Sequence, residues 1–246
     1  MPQNGCFLAF DTSTDVMSIA LTDGVRVGAR DGVRVWQHTG PGGAKASTTL
    51  IPAILALLAE AGLALGDLQA IAFGRGPGSF TGLRTACAVA QGLAFGANDG
   101  AGIAVLPVDT LLAVAEEARL HQPSPHITAL LDARMDEMYM QRYACDGEVL
   151  RALEPCELIR PEDLVVDDTT LYAGNVFDVY QGRLPPGSNS LTCLPTATAM
   201  LRLAPRLAAT GYCVPADQAL PLYVRDKVAQ TTLEREAVKL MKLQTQ

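Results

Sequence analysis

Short apolar runs alternate with longer helical patterns along the first half of the chain. Period-two or continuous apolar runs predict strands, and apolar positions three and four residues apart predict helices. The predicted strands are 6–10, 17–21, 33–37, 70–74 and 104–108, and the predicted helices are 47–61, 81–95 and 110–119. This βββαβαβα order predicts a mixed sheet with helices packed on its faces.

The second half has a weaker pattern that begins after the proline-punctuated stretch HQPSPH at 121–126. Strands are predicted at 127–132, 137–144 and 171–174, a surface loop at 184–189, and a helix at 196–210 that contains Pro205. We therefore expect an N-terminal lobe over 1–119, completed by 217–246, and a smaller lobe over 120–216. The last stretch, LEREAVKLMKLQ, is amphipathic and is either a helix or a frayed end.

A glycine-rich turn, GRGPGSFTG at 74–82, leads directly into the second predicted helix. Glycine allows a close backbone approach, and a helix N-terminus offers unpaired N–H groups that can hold an anion. The polar turn DTSTD at 11–15 could contribute a carboxylate acting through magnesium. Both turns have an equally plain structural interpretation, as tight turns whose side chains satisfy local N–H groups.

Composition and charge argue against a protein that binds nucleic acid by itself and against a secreted, disulfide-bonded protein. The chain has 246 residues, 49% hydrophobic and 18% charged, with a net charge of −7. Because nucleic-acid affinity comes chiefly from clustered lysine and arginine, we do not expect this surface to grip RNA by itself. Six cysteines without CxxC spacing indicate free thiols, and the N-terminus lacks a secretory pattern. A cytoplasmic protein is expected.

The first two predicted helices are apolar on more than one face, whereas a helix that covers only its own core shows one apolar stripe. A second neighbour is therefore expected on these helices, either a partner protein or another part of the same chain.

Four segments occur in the order found in the TsaB family: LAFDTST, GRGPGSFTGLR, LLDARMDEMYMQRY and PLYVRDKVA. The chain resembles that family, which belongs to the actin, sugar kinase and Hsp70 superfamily. The resemblance implies an α/β fold of two actin-like, ribonuclease H-like lobes, each a mixed sheet flanked by helices. It also implies a role in making N6-threonylcarbamoyladenosine beside the tRNA anticodon.

The resemblance further implies a non-catalytic scaffold that binds TsaD, and with it the ATPase TsaE, and that forms a homodimer without TsaD. Contact with tRNA would be indirect, through the complex. No cofactor is required, and an adenine nucleotide, ATP or ADP, at the complex interface is the ligand it suggests. Residues carried over for the partner interface are Leu50, Ile54, Leu57, Ala86, Val89, Ala90 and Leu93; those for a vestigial nucleotide cleft are Asp11, Thr12, Gly76, Gly78, Ser79 and Thr81.

Catalytic features of the superfamily are missing. Thr110 and Val114 stand where TsaD has a metal-binding histidine pair, and neither can replace an imidazole. No metal site or catalytic residue is therefore predicted, and no activity of the chain alone is expected. Two alternatives stay open, an ATP-dependent small-molecule kinase and a metal-dependent peptidase. The chain departs from the family pattern before the first interface helix, where the link is expanded to residues 29–49. Ala46 takes the place of the histidine that is usual at the start of that helix.

Overall fold

A five-stranded mixed sheet forms the base of the first lobe. The computed structural model describes residues 5–24, 33–186 and 189–225. The strands are β1 (Phe7–Asp11), β2 (Val16–Thr22), β3 (Val35–Pro41), β4 (Ala70–Gly76) and β5 (Ala104–Asp109), in the order β3-β2-β1-β4-β5. The central strand β1 pairs antiparallel with β2 and parallel with β4. Residues 35–41 of the expanded link form the edge strand β3.

Two helices, α1 (Ala46–Ala61) and α2 (Phe80–Gly96), cover one face of this sheet. The inner side of α1 carries Leu50, Ile54 and Leu57, whose spacing of three and four residues places them on one side of the helix. Gly62 ends α1 in the left-handed conformation, at φ 65°, which glycine adopts without steric cost. The two helices and the sheet share one core.

The second lobe repeats the strand order of the first. Its strands are β6 (His126–Asp132), β7 (Met138–Asp146), β8 (Val149–Ala152), β9 (Glu157–Ile159), β10 (Thr170–Gly174) and β11 (Asn189–Thr192). They follow the order β11-β10-β6-β7-β8, with β9 paired to β7, and β6 pairs antiparallel with β7 and parallel with β10. The strand β6 therefore occupies the place that β1 has in the first sheet.

Two further helices, α3 (Thr110–His121) and α4 (Ala197–Ala209), join the lobes. Helix α3 packs against the second sheet through Leu111, Val114 and Ala118, while α4 packs against the first sheet. Between them, buried Glu116 accepts hydrogen bonds from Arg119 at 2.8 and 2.9 Å and from Arg202 at 2.9 Å. This network ties the two helices together.

The fold class predicted from the sequence is confirmed, and each strand and helix predicted within the described residues is present. One placement is wrong: residues 196–210 were assigned to the second lobe, but α4 lies on the first sheet because its apolar side meets β1 and β2. The strands β8, β9 and β11 were not predicted. The rest of the proposed domain division stays a prediction, and most of the segment 217–246 lies outside the described residues.

Candidate functional site

The glycine-rich turn and the polar turn after β1 interlock. The N–H of Ser79 donates to the carbonyl of Ser13 at 2.7 Å, and the Thr12 hydroxyl donates to the carbonyl of Gly82 at 2.7 Å. A Cβ at Gly82 would lie 1.9 Å from the Thr12 carbonyl oxygen, and one at Gly78 would lie 2.6 Å from the Ser13 Cβ. These two glycines are required because two backbones touch there.

Asp11, at the end of β1, is completely buried. Its Oδ1 accepts hydrogen bonds from the Ser13 N–H at 2.8 Å and hydroxyl at 2.6 Å, and the Thr110 hydroxyl lies 3.5 Å from Oδ2. Burial raises the pKa of Asp11 to about 6, although the bonds from Ser13 favour the charged form. The carboxylate therefore orders the turn beneath the surface and has no open path to a ligand.

A cavity of about 350 Å³ separates the two lobes. Gly78, Ser79 and Thr81 line it from the first lobe, whereas Asp11, Thr12 and Gly76 do not. Of the six residues predicted for a nucleotide cleft, three thus line the cavity and three are not part of its lining.

The second lobe meets this cavity through the turn after β6. Arg134, Met135 and Asp136 all have positive φ, between 55° and 61°. Arg134 reaches Asp15 of the first lobe at 3.0 Å and Asp132 at 3.2 Å. An ion pair therefore crosses the mouth of the cavity.

A strap formed by residues 219–225 runs beside α2 and then enters the second lobe. The Ala219 carbonyl accepts a hydrogen bond from Gln91 at 2.9 Å, and the Tyr223 ring lies 5.2 Å from that of Phe80. Arg225 then pairs with Glu137 at 2.5 Å. The strap thus connects α2 to the turn after β6.

The residues predicted for the partner interface lie largely in the core. Leu50, Ile54, Leu57, Ala86 and Ala90 are buried between their helices and the sheet, and Val89 and Leu93 are half-buried. The first five cannot contact a partner, and this part of the prediction is wrong because the most apolar stripe of each helix faces its own sheet. The correction moves the candidate surface to the opposite sides of the same helices.

We call the opposite side of α1 and α2 the outer face. It exposes Ile51 at 42%, Leu55 at 50% and Phe95 at 72% of their surface, together with Pro52 and Ala88. Across both helices the only charged side chains are Glu60 and Arg84. An exposed, nearly uncharged surface of two adjacent helices is typical of a protein contact.

By length and composition alone, the stretch Gly43–Ala61 could also cross a membrane, with 28% of its apolar window buried inside the protein. The packing of Leu50 and Ile54 on the first sheet explains much of its apolar character. The helix α1 thus covers the first sheet.

The two positions that the family resemblance aligns with a histidine pair hold buried, non-ligating side chains. Thr110 and Val114 are both fully buried on α3. Within residues 5–24, 33–186 and 189–225, no group of three histidine, cysteine, aspartate or glutamate side chains could hold a metal ion. His121 lies 3.1 Å from Glu117, and His38 and His126 are exposed on other elements.

A family model described as "TsaD: tRNA N6-adenosine threonylcarbamoyltransferase" matches residues 42–232. The chain is 32% identical to the Escherichia coli protein named tRNA threonylcarbamoyladenosine biosynthesis protein TsaB, over 90% of this chain and 95% of that one. It belongs to the TsaB family. The Haemophilus influenzae TsaB protein is 33% identical over 92% of this chain and 96% of its own length.

Solved structures of TsaB-family proteins, also called YeaZ, have the same fold. A structure of YeaZ from Pseudomonas aeruginosa superposes with a TM-score of 0.76 at 36% identity, covering 89% of this chain and 99% of that one. A second, titled as an uncharacterized protein with similarity to peptidase YEAZ from the same organism, gives a TM-score of 0.77 and covers 90% and 100%. About a tenth of this chain therefore has no counterpart in those TsaB-family structures.

Proposed function

We propose that this chain is a non-catalytic scaffold that binds TsaD, and with it TsaE, in forming N6-threonylcarbamoyladenosine on tRNA. The outer face of α1 and α2 carries the proposal, because it is the surface where exposed apolar side chains coincide with an almost complete lack of charge. The names of the TsaB relatives supply the pathway. The setting would be the cytoplasm.

The outer face suits a partner that also presents apolar side chains. Ile51 and Leu55 are one helical turn apart on α1, and Phe95 lies near the end of α2 on the same side of the sheet. Aromatic side chains such as Phe95 are enriched at protein interfaces, and removing aliphatic side chains such as Ile51 and Leu55 from water adds to the binding energy. TsaD would occupy this face, and without TsaD a second copy of the chain would use it to form a homodimer.

A supporting rather than catalytic role agrees with the environment of Asp11. A carboxylate that acts on a metal-bound phosphate must reach the ligand, but Asp11 is sealed below the turn. With a net charge of −7, the chain would contact tRNA only through its partner. No cofactor is required for this role, and an adenine nucleotide would enter at the complex interface.

The test compares two substitutions of the same kind on different lobes. Leu55→Asp places a charge in the outer face, whereas Val165→Asp changes an 87% exposed valine of the second lobe. We expect Leu55→Asp to weaken TsaD binding at least 100-fold, which corresponds to about 2.7 kcal/mol. Val165→Asp should leave binding unchanged. Calorimetry would give the affinities, and threonylcarbamoyl transfer to tRNA by the reconstituted system should fall with them.

Circular dichroism establishes that each variant folds. Phe95→Asp serves as a second outer-face variant, since Phe95 is 72% exposed. Wild-type TsaD binding by both folded outer-face variants would overturn the proposal.

A further inference from the structure

The turn after β6 has a backbone conformation that its residues do not adopt by preference. Arg134, Met135 and Asp136 have φ angles of 60°, 55° and 61°. In this left-handed region a Cβ crowds the following carbonyl oxygen, so three such residues in succession cost free energy unless neighbouring groups hold them. Contacts from outside the turn therefore decide its conformation.

The strap holds this turn through its last residue. The Arg225 guanidinium donates to the Arg134 carbonyl at 3.3 Å and to the Glu137 carboxylate at 2.5 Å, and it also contacts the Met135 sulfur. The Arg225 side chain is only 14% exposed, so salt screens these contacts little. One strap residue therefore contacts the turn at three points.

The same strap is fixed to the first lobe just before it reaches the turn. The Leu222 N–H donates to the Arg75 carbonyl at 2.7 Å, and the Arg84 guanidinium donates to the Tyr223 hydroxyl at 3.0 Å. Gly76 has a φ of 125°, and a Cβ there would lie 2.5 Å from the Leu222 carbonyl oxygen. Gly76, predicted for a nucleotide cleft, is therefore needed where the strap backbone passes.

Four consecutive strap residues, 222–225, form part of the wall of the cavity between the lobes, as does Ala133. The ion pair of Arg134 with Asp15 also crosses the mouth, but its side chains are 70% and 84% exposed. Exposed ion pairs contribute little to stability and are weakened by salt. The contact between α3 and α4 joins the lobes outside the lining of this cavity. The strap is therefore the stronger of these two connections at the mouth.

We propose that residues 222–225 act as a clasp between the lobes, with Arg225 as the positioning residue of the turn after β6. With the clasp bound, the turn keeps its left-handed conformation and the lobes stay closed around the cavity. When Arg225 leaves Glu137, the turn relaxes and the cavity opens to solutes. The clasp thus controls access to the space between the lobes, whether or not the outer face binds TsaD.

The test measures access to the cavity through a thiol introduced by Ala133→Cys, at a position that is 8% exposed in the cavity wall. Its alkylation by iodoacetamide is followed by mass spectrometry of the peptide, which separates it from the native cysteines. In this background Arg225→Ala should speed alkylation at position 133 at least tenfold. A rate within twofold of the parent would overturn the proposal.

Two controls separate release of the clasp from other effects. Arg183 pairs with Asp136 of the same turn at 2.7 Å, but it belongs to the second lobe. Arg183→Ala should therefore change the rate at position 133 less than threefold, and an effect equal to that of Arg225→Ala would overturn the role of the strap. Cys193 packs on the core of the second lobe and is the internal reference. Equal acceleration at Cys193 would indicate unfolding and would also overturn the proposal.

A milder variant and a second measurement keep the test decisive if Arg225→Ala fails to fold. Glu137→Gln removes only the charge that Arg225 meets and should speed alkylation at least threefold; an unchanged rate in this folded variant would overturn the proposal. Hydrogen exchange measured by NMR reports on the turn itself, where the Ala133 N–H donates to the Glu137 carbonyl at 2.9 Å. Either clasp variant should speed exchange of this N–H at least threefold but leave Thr128 on β6 unchanged. Exchange as slow as in the parent would overturn the positioning role of Arg225.

Discussion

The strands β1 and β6 hold the same place in two sheets of the same order, and both end in an aspartate with little exposure, but the two carboxylates have different partners. Asp11 is sealed by the polar turn and the neighbouring Gly74, whose Cβ, if present, would lie 1.8 Å from the carboxylate. Asp132 lines the cavity, accepts the Tyr180 hydroxyl at 2.7 Å and pairs with Arg134. A repeated topology therefore does not preserve the chemistry of an equivalent position.

The lobes differ as much in what covers their sheets. The first lobe has two long, nearly uncharged helices on its far side, whereas the far side of the second sheet is covered by short segments around Val176 and Tyr180. Residues 120–196 contain five arginines and twelve acidic residues, while the remainder of the chain has equal numbers of each sign. The whole net charge of −7 thus belongs to the second lobe. The first lobe is suited to an apolar contact, and the second repels polyanions.

The contact between the glycine-rich turn and the polar turn after β1 can be disrupted at Gly82. Gly82→Ala should cost at least 3 kcal/mol of unfolding free energy, because a Cβ would be forced 1.9 Å from the Thr12 backbone oxygen. Gly92→Ala is the matched control on the same helix, since no atom from outside the backbone of its own helix lies within 4 Å of its Cβ position. The control should stabilise the chain by about 0.5–1 kcal/mol. Urea unfolding measures both, and similar values for the pair would contradict the interlocked turn.

The contact between α3 and α4, the two helices that join the lobes, can be tested at Glu116. Its carboxylate is 2% exposed and holds two arginines, one on each of α3 and α4. Glu116→Gln should lower the unfolding free energy by about 3 kcal/mol, because it leaves Arg119 without its buried counter-charge and leaves Arg202 with Glu117 alone. The exposed Glu60→Gln on α1 should change it by less than about 0.5 kcal/mol. A small effect at Glu116 would mean that the lobes are held together mainly by apolar packing.

Periodicity was enough to predict the main elements of both lobes. The long apolar runs of β1, β2 and β4 and the helical spacing of α1 and α2 are local signals that tertiary contacts reinforce. The strands β8, β9 and β11 were missed because they are only three or four residues long and carry polar side chains. Their strand conformation comes from pairing with neighbouring strands, and this pairing is not visible in the local sequence pattern.

The candidate site was harder to predict because it depends on which way an element faces. Leu50 and Ile54 are as apolar as Ile51 and Leu55, and only the position of the sheet separates core from surface. The absence of charge along α1 and α2 was visible in the sequence and does mark the exposed side. Asp11 was recognised as special, but its burial depends on Gly74 and Thr110, which are distant in the sequence.

Because Asp11 is buried, we predict that its ionisation lowers the free energy of unfolding as the pH rises. Its pKa is about 6 in the folded chain and near 3.8 in the unfolded chain, so the unfolded form loses the proton first as the pH rises. Stability should therefore fall between about pH 4 and 6, and the full cost remains above pH 6. Asp11→Asn removes the charge while its amide oxygen can still accept both bonds from Ser13. This variant should be more stable by about 3 kcal/mol at pH 7.5 and equal to the wild type below pH 4.

Urea unfolding of both chains at several pH values gives this difference directly. Asp15→Asn, an exposed change in the same turn, serves as the control and should alter stability by less than about 0.5 kcal/mol. A stabilisation by Asp11→Asn that did not depend on pH would mean that the amide packs better for another reason. A loss of stability at pH 7.5 would mean that the turn requires the negative charge. In that case Asp11 and Asp132 would be alike in chemistry after all, and the difference between the lobes would reduce to their outer surfaces.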